Sequence, residues 1–179
     1  NEETRKKILK YVEEIENSGG VISDNFAKKY RETVKQMIKV VFINHGKKII
    51  VNPELDLWTG VLETFDSEAR KYGYLYGLSY LYEDGSNAEA IIKECNLDLV
   101  AGVVIFGTEM TDGDAALLMQ IQKPIVIYDC EINGGKYSSV CIDNAGAVAC
   151  AMEKFVKAGA QSVLYLSTGK DIYNFSKRR

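Results

Sequence analysis

KPIVIYDCEINGGKYSSVCIDNAGAVACAMEKFVKAGAQSVLYLSTG, residues 123–169, decides the fold; Lys170 and DIYNFSKRR, residues 171–179, follow it. Its IVIY predicts a buried strand that stops at Asp129. A short strand over 139–142 leads into Asp143-Asn144, and Asn144 can cap a helix that runs to Lys157. Gly159 ends that helix, and SVLYL over 162–166 reads as another strand. A strand that ends at a carboxylate carries that group to the crevice beyond the carboxyl ends of an open α/β sheet, where such sheets bind ligands.

The alternation continues toward the N-terminus. Residues 38–43, 74–81 and 100–106 are apolar, strand-forming runs, the last continuously apolar as expected when both faces are covered. Helical patterns separate them. One spans 56–72, with Leu57, Val61, Phe65, Ala69 and Tyr72 on one face and Leu62 flanking it, and Gly73 suits its C-terminal cap. A second is opened by the capping-box sequence Ser86-Asn87-Ala88-Glu89 and runs through Cys95; a third covers 111–122. The fold class is therefore α/β, a parallel sheet with right-handed crossovers in which 38–43, 74–81, 100–106 and 125–128 are adjacent strands. Lys48-Ile49-Ile50-Val51 reads as a further short strand. The pattern Lys-x-Gly-x occurs twice before a strand, at Lys71-Tyr72-Gly73-Tyr74 and Lys157-Ala158-Gly159-Ala160, as two lobes built on one βαβ theme would produce. Upstream, Ile8, Tyr11, Val12 and Ile15 mark a helix over 1–17, which Ser18-Gly19-Gly20 stops. Residues 21–36 are polar and Lys-rich, a linker with a short helix over 24–32.

Composition narrows the function classes. The chain has 179 residues, 46% hydrophobic and 26% charged, which is ordinary for a globular protein. A net charge of −3 argues against binding nucleic acid through the whole surface. Cys95, Cys130, Cys141 and Cys150 show no metal-ligand spacing and sit among small apolar residues, as reduced core thiols of a cytoplasmic protein would. No apolar run approaches membrane-span length, and the N-terminus is charged rather than signal-like. The single histidine, His45, reads as a loop residue beside Gly46. Glu109, Asp112 and Asp114 gather at the start of the 111–122 helix, where acids complement the helix dipole. No phosphate loop, nucleophile elbow or dinucleotide fingerprint is present, so no enzyme, cofactor or metal site is expected.

Strand–Asp129, short strand–Asp143-Asn144 with Gly146, helix, Gly159, strand and then a basic residue is an order that resembles the effector domain of the lactose-repressor/galactose-repressor (LacI/GalR) family of transcriptional regulators. Periplasmic sugar-binding proteins share that fold. Asn1-Glu2-Glu3-Thr4-Arg5 is similar to the start of the third helix of the family's DNA-binding head. The resemblance implies a truncated helix-turn-helix head at 1–17, a hinge at 18–37, the N-terminal lobe of an effector-binding domain at 38–142, and the start of an incomplete C-terminal lobe at 143–179. On this reading two more head helices precede Asn1 and most of the second lobe follows Arg179. The hinge that enters the minor groove of operator DNA maps to Ala27, Lys28 and Tyr30; Tyr30 stands where the family has an intercalating Leu, and Ser23-Asp24 where it has Pro-Asn.

The same resemblance implies an effector held between the lobes by residues at the carboxyl ends of the strands. Asp129 maps to the acceptor of ligand hydroxyls, and an ionised carboxylate can take two vicinal ones; the alternative is a turn residue before Asn133-Gly134-Gly135. Leu57 and Trp58 open the first-lobe helix beside the crevice, where Trp58 stacks on a sugar or packs into the core. Phe106 and Thr108 end the third strand and face the same crevice. Arg179, or Arg178 one residue earlier, maps to the second-lobe arginine that grips the effector, unless it is a solvated chain end. The implied function is sensing of a sugar or related polyol by a cytoplasmic, homodimeric repressor. Two other classes compete: a solute-binding receptor of a sugar transporter, and an enzyme on a flavodoxin-like sheet. The Glu-Glu-Thr-Arg helix and Lys-bearing linker favour the regulator.

Overall fold

A computed structural model describes residues 6, 10, 36–46, 57–132 and 137–179. The chain divides into two compact units, Asn1–Lys35 and Gln36–Arg179. Of the first, Lys6 and Lys10 are described, both helical and exposed. The rest of the 1–17 helix, almost all of the linker, and the strand expected at 48–51 lie outside the described residues.

The second unit runs β1 (Met37–Ile43), α1 (Leu57–Lys71), β2 (Leu75–Leu81), α2 (Ala88–Cys95), β3 (Val100–Phe106), a 3-10 turn (Asp112–Asp114) continuing into α3 (Ala115–Leu118), β4 (Ile125–Tyr128), β5 (Ser138–Val140), α4 (Asn144–Lys157) and α5 (Tyr173–Lys177). All five strands are parallel, in the order β2-β1-β3-β4-β5. The four strands expected to be neighbours are neighbours.

β1 shows why. Val41 and Ile43 point into one apolar cluster, while Val40 and Phe42 point into another on the opposite face. A strand apolar on both sides belongs inside a sheet, and β1 sits between β2 and β3. One cluster, with Ile91, Cys95, Ile105, Leu118 and Ile127, lies on the α2–α3 side; the other, with Trp58 and Phe106, lies under α1. The strand order reverses between β1 and β3. In doubly wound sheets that switch point opens a crevice outside the carboxyl ends of the strands.

The repeated Lys-x-Gly-x pattern marks two helix ends of identical construction. After α1, Gly73 has φ 82°, and the N–H groups of Gly73 and Tyr74 bond to the carbonyls of Arg70 and Ala69. After α4, Gly159 has φ 81°, with Gly159 and Ala160 bonded to Val156 and Phe155. Both are Schellman caps, which need a residue free to adopt positive φ.

Several expectations need correction. The 111–122 helix is a 3-10 turn plus one short helix. The Asn96 side chain stops it, accepting from the Gln122 N–H and donating to the Gln120 carbonyl. Residues 162–166 form no strand, because no neighbouring strand among the described residues lies beside them to complete a ladder. Tyr72 is 78% exposed rather than on the core face, since the Gly73 cap turns the chain there, while Leu62 packs into the α1 cluster. The capping box at 86–89 is not made: Asn87 instead accepts the Tyr82 N–H and donates to the Tyr80 carbonyl, tying α2 to the end of β2. Asp143, not Asn144, caps α4, accepting the Gly146 N–H at 2.9 Å. Cys141 and Cys150 are exposed; only Cys95 and Cys130 are buried thiols. The fifth strand begins one residue earlier than expected and ends at Val140.

Candidate functional site

Asp129 ends β4 in an unusual backbone state. Its φ of 66° makes it the one non-glycine residue with positive φ among those described. Asp tolerates that left-handed region better than most residues, though at some cost. Three contacts hold it there. Its N–H donates to the Val140 carbonyl at 2.8 Å, its carbonyl accepts from Asn174 Nδ2 at 3.4 Å, and its Oδ2 accepts the Thr108 hydroxyl at 2.7 Å. The carboxylate is 9% exposed, so a donor such as Thr108 offsets part of its desolvation. Thr108 stands two residues beyond β3, and the Gly107 N–H donates to the Tyr128 carbonyl at 2.9 Å, clamping the ends of β3 and β4 together.

The turn at Asp129 separates two hollows. Tyr128 lines an apolar one of about 720 Å³ between α1 and the β3–β4 face, with Val61, Phe65 and Phe106. Cys130 lines a polar cleft of about 370 Å³ with Asp112, Glu131, Tyr173 and Lys177. On the apolar side Trp58 stands edge-on to Phe42, Phe106 and Tyr128, with ring centroids 6.1, 5.5 and 6.4 Å apart. Trp58 and Phe106 are buried, so these rings present a packed aromatic wall. Leu57 opens α1 one residue earlier.

In the polar cleft, burial pushes the Cys130 thiol up to about 12, with the nearby Cys141 adding to the effect. Tyr173 is also raised to about 12, first by burial and then by its hydrogen bond to Glu131. Both therefore remain protonated at neutral pH, which suits a hydrogen-bonding wall and not a nucleophile. No group of three His, Cys, Asp or Glu among the described residues could hold a metal ion.

Of the predicted arginines, Arg178 is half-buried and donates from Nε to Asn144 Oδ1 at 2.6 Å, with its guanidinium 5.7 Å from the Phe175 ring centre. Arg179 is exposed and donates to the Thr168 carbonyl. Asp129, Thr108, Phe106 and Trp58 thus gather at the carboxyl ends of β3 and β4, and Arg178 is tied to Asp129 through two asparagines. Ala27, Lys28 and Tyr30 lie outside the described residues.

Sequence reasoning missed two groups. Asn144 and Asn174 are buried and bonded to each other at 2.7 Å; the one available signal was Asn174 lying four residues before Arg178, on the same face of a helix. His45 is not a bare loop residue. Its Nε2 lies 2.9 Å from Asp114 Oδ2, and its backbone N–H donates to the fully buried Glu109. Asp114 also accepts from the Thr111 N–H and hydroxyl, so the acids after β3 bind the end of β1 besides opening a helix.

No protein-family model and no curated protein sequence matches the chain. Solved structures do. A transcription regulator-like protein from Staphylococcus haemolyticus superposes with TM-score 0.63 at 17% identity, covering 79% of this chain and 52% of that one. The transcriptional regulator CelR in complex with cellobiose gives 0.61 at 17%, covering 86% and 48%. The lac repressor dimer bound to operator and the anti-inducer ONPF gives 0.61 at 18%, covering 99% and 51%. The fold is that of the LacI-type transcriptional regulators. The chain spans about half the length of these LacI-type structures. Among its described residues, no helix is long and apolar enough to cross a membrane.

Proposed function

We propose that the chain is the effector-sensing part of a LacI/GalR-type regulator that binds a sugar or related polyol and thereby controls operator DNA. One observation carries the reading: a buried aspartate at the end of β4, forced to positive φ, its carboxylate fixed by Thr108 beside an aromatic wall. A carboxylate so placed accepts strong hydrogen bonds from ligand hydroxyls, and the buried Trp58 and Phe106 rings pack the strand ends behind it. Arg178, approaching from α5, adds a planar donor fork. The protein is not an enzyme on this reading. Its effector prefers one arrangement of the two lobes and shifts their population, which moves hinge segments paired in a homodimer. A cytoplasmic site of action goes with that role. Structures of the same fold that carry cellobiose or operator DNA support the assignment.

The test is Asp129→Asn in the full-length protein. Asn also tolerates positive φ and can accept from Thr108, so shape is kept while charge is lost. A charge-assisted hydrogen bond contributes about 1.5–3 kcal/mol, so affinity should fall roughly ten- to a hundredfold. Calorimetry with the disaccharide that binds best among cellobiose, trehalose and sucrose measures it. Unchanged affinity makes Asp129 a turn residue.

A further inference from the structure

Four polar groups connect the end of β4 to α5. Asn174 Nδ2 donates to the Asp129 carbonyl at 3.4 Å, Asn144 Nδ2 donates to Asn174 Oδ1 at 2.7 Å, and Arg178 Nε donates to Asn144 Oδ1 at 2.6 Å. The second hydrogen of Asn144 Nδ2 goes to the Ile142 carbonyl at 3.2 Å. Asn144 is 3% exposed and Asn174 5%.

The polarity of this chain is fixed at both ends. An arginine only donates and a backbone carbonyl only accepts. Asn144 must therefore turn Oδ1 toward Arg178 and Nδ2 toward Ile142, which leaves its other N–H for Asn174. Asn174 must then present Oδ1 to Asn144 and Nδ2 to the Asp129 carbonyl. Flipping either amide would set a donor against a donor or an acceptor against an acceptor in a site closed to water, which is costly. One orientation of each amide satisfies every partner.

We propose that Asn144 and Asn174 are positioning residues that aim Arg178 at the crevice and fix it to the backbone turn at Asp129. Effector contact at Asp129 and effector contact at Arg178 are then mechanically one event: a shift of the β4 turn reaches the arginine through two rigid amides. The crevice role of Asp129 and Arg178 rests on the function proposed above; the relay itself does not.

The relay is read at Arg178 Nε–H, whose proton should give a protected, resolved signal in nitrogen-edited NMR of the full-length protein without ligand. Asn174 does not touch that proton, so a purely local role for Asn174 predicts no change there. Asn174→Leu, with Asn174→Ala as a second version of the deletion, removes the acceptor that orients Asn144 and should speed exchange of Arg178 Nε–H by about tenfold or more. Asn174→Gln keeps both an acceptor for Asn144 and a donor for the Asp129 carbonyl and should lose less protection than the deletions. Wild-type protection in the folded Leu or Ala variant overturns the relay. The β3 and β4 amide signals report whether each variant folds. A parallel titration of wild type with cellobiose, trehalose and sucrose addresses the sugar reading separately: absence of binding overturns that reading, and the exchange data still decide the relay.

Discussion

A methyl group at Gly107 would have nowhere to go. Its Cβ would lie 2.9 Å from the Cys130 Cβ, 3.2 Å from Met110 Cε and 3.3 Å from Ile127 Cγ2, all parts of a packed core. Met110 can yield, but Cys130 Cβ is fixed by the turn at Asp129. Gly107→Ala should therefore destabilise the fold by about 1–3 kcal/mol through overpacking, measured by urea unfolding. A change within experimental error would show that the β3 and β4 ends separate easily, contrary to the clamp between Gly107 and Tyr128. The same clamp brings Thr108 to Asp129. Asp129 itself was legible in the sequence, because a carboxylate closing an apolar strand is a local signal. Thr108 as its donor was half legible, from its place at a strand end. Asn144 with Asn174 was not, since they are 30 positions apart and their pairing depends on how α5 returns to β4. His45 with Asp114, 69 positions apart, was hidden for the same reason.

At the scale of elements, strands were easier to read than helices. β1, β3 and β4 are apolar runs whose two faces are both covered, a pattern that survives any detail of packing. Helix ends depend on competing side chains: Asn96 cuts short the helix after β3, and Asn87 leaves its expected cap to hold β2. α2 shows how one ion pair sets an element in place. Lys39, 7% exposed on β1, reaches Glu94 Oε2 at 2.6 Å, and the Ser79 hydroxyl on β2 donates to the same oxygen at 2.9 Å. These two hydrogen bonds, Lys39 first, hold the Glu94 carboxyl below the ordinary glutamate value of 4.5. A depressed carboxylate stabilises the fold above its unfolded value and loses that contribution as pH falls through its folded value. Wild type should thus exceed Glu94→Gln in stability by about 1 kcal/mol at neutral pH, a modest figure because the Glu94 side chain is 46% exposed. The gap should close as pH drops below 4.5. Urea unfolding across that range checks it, and a gap independent of pH would remove Glu94 as the anchor. Lys39→Met should cost less than Glu94→Gln, because it removes the buried partner and leaves only the half-exposed Glu94 carboxylate unpaired, whereas Glu94→Gln leaves the buried Lys39 charge unpaired.

Across the whole second unit, polar and apolar groups are treated differently. Every buried side-chain nitrogen and oxygen among the described residues has a hydrogen-bond partner. Apolar groups are placed less uniformly: Tyr72 and Met119 are 78% and 63% exposed, and beyond Val140 exposed apolar side chains follow one another closely. Phe155 and Val156 on α4 are 48% and 69% exposed, and Leu164 and Leu166 reach 83% and 84%. The predicted strand at 162–166 is absent for a related reason: its residues have strand propensity, but a strand is stabilised by its neighbours, and none among the described residues adjoins it. Segments with such exposure are sticky in water, since a soluble surface seldom presents several large apolar side chains close along the chain. The 179-residue chain should accordingly bind a hydrophobic dye such as ANS and sediment with a concentration-dependent mass. Leu164→Glu combined with Leu166→Glu should lower both effects and leave the unfolding free energy within about 0.5 kcal/mol, because neither leucine contributes to a core. If instead the double substitution lowers stability by several kcal/mol with no change in dye binding, residues 162–166 are packed in solution. Exposed apolar contacts could then not be the source of self-association.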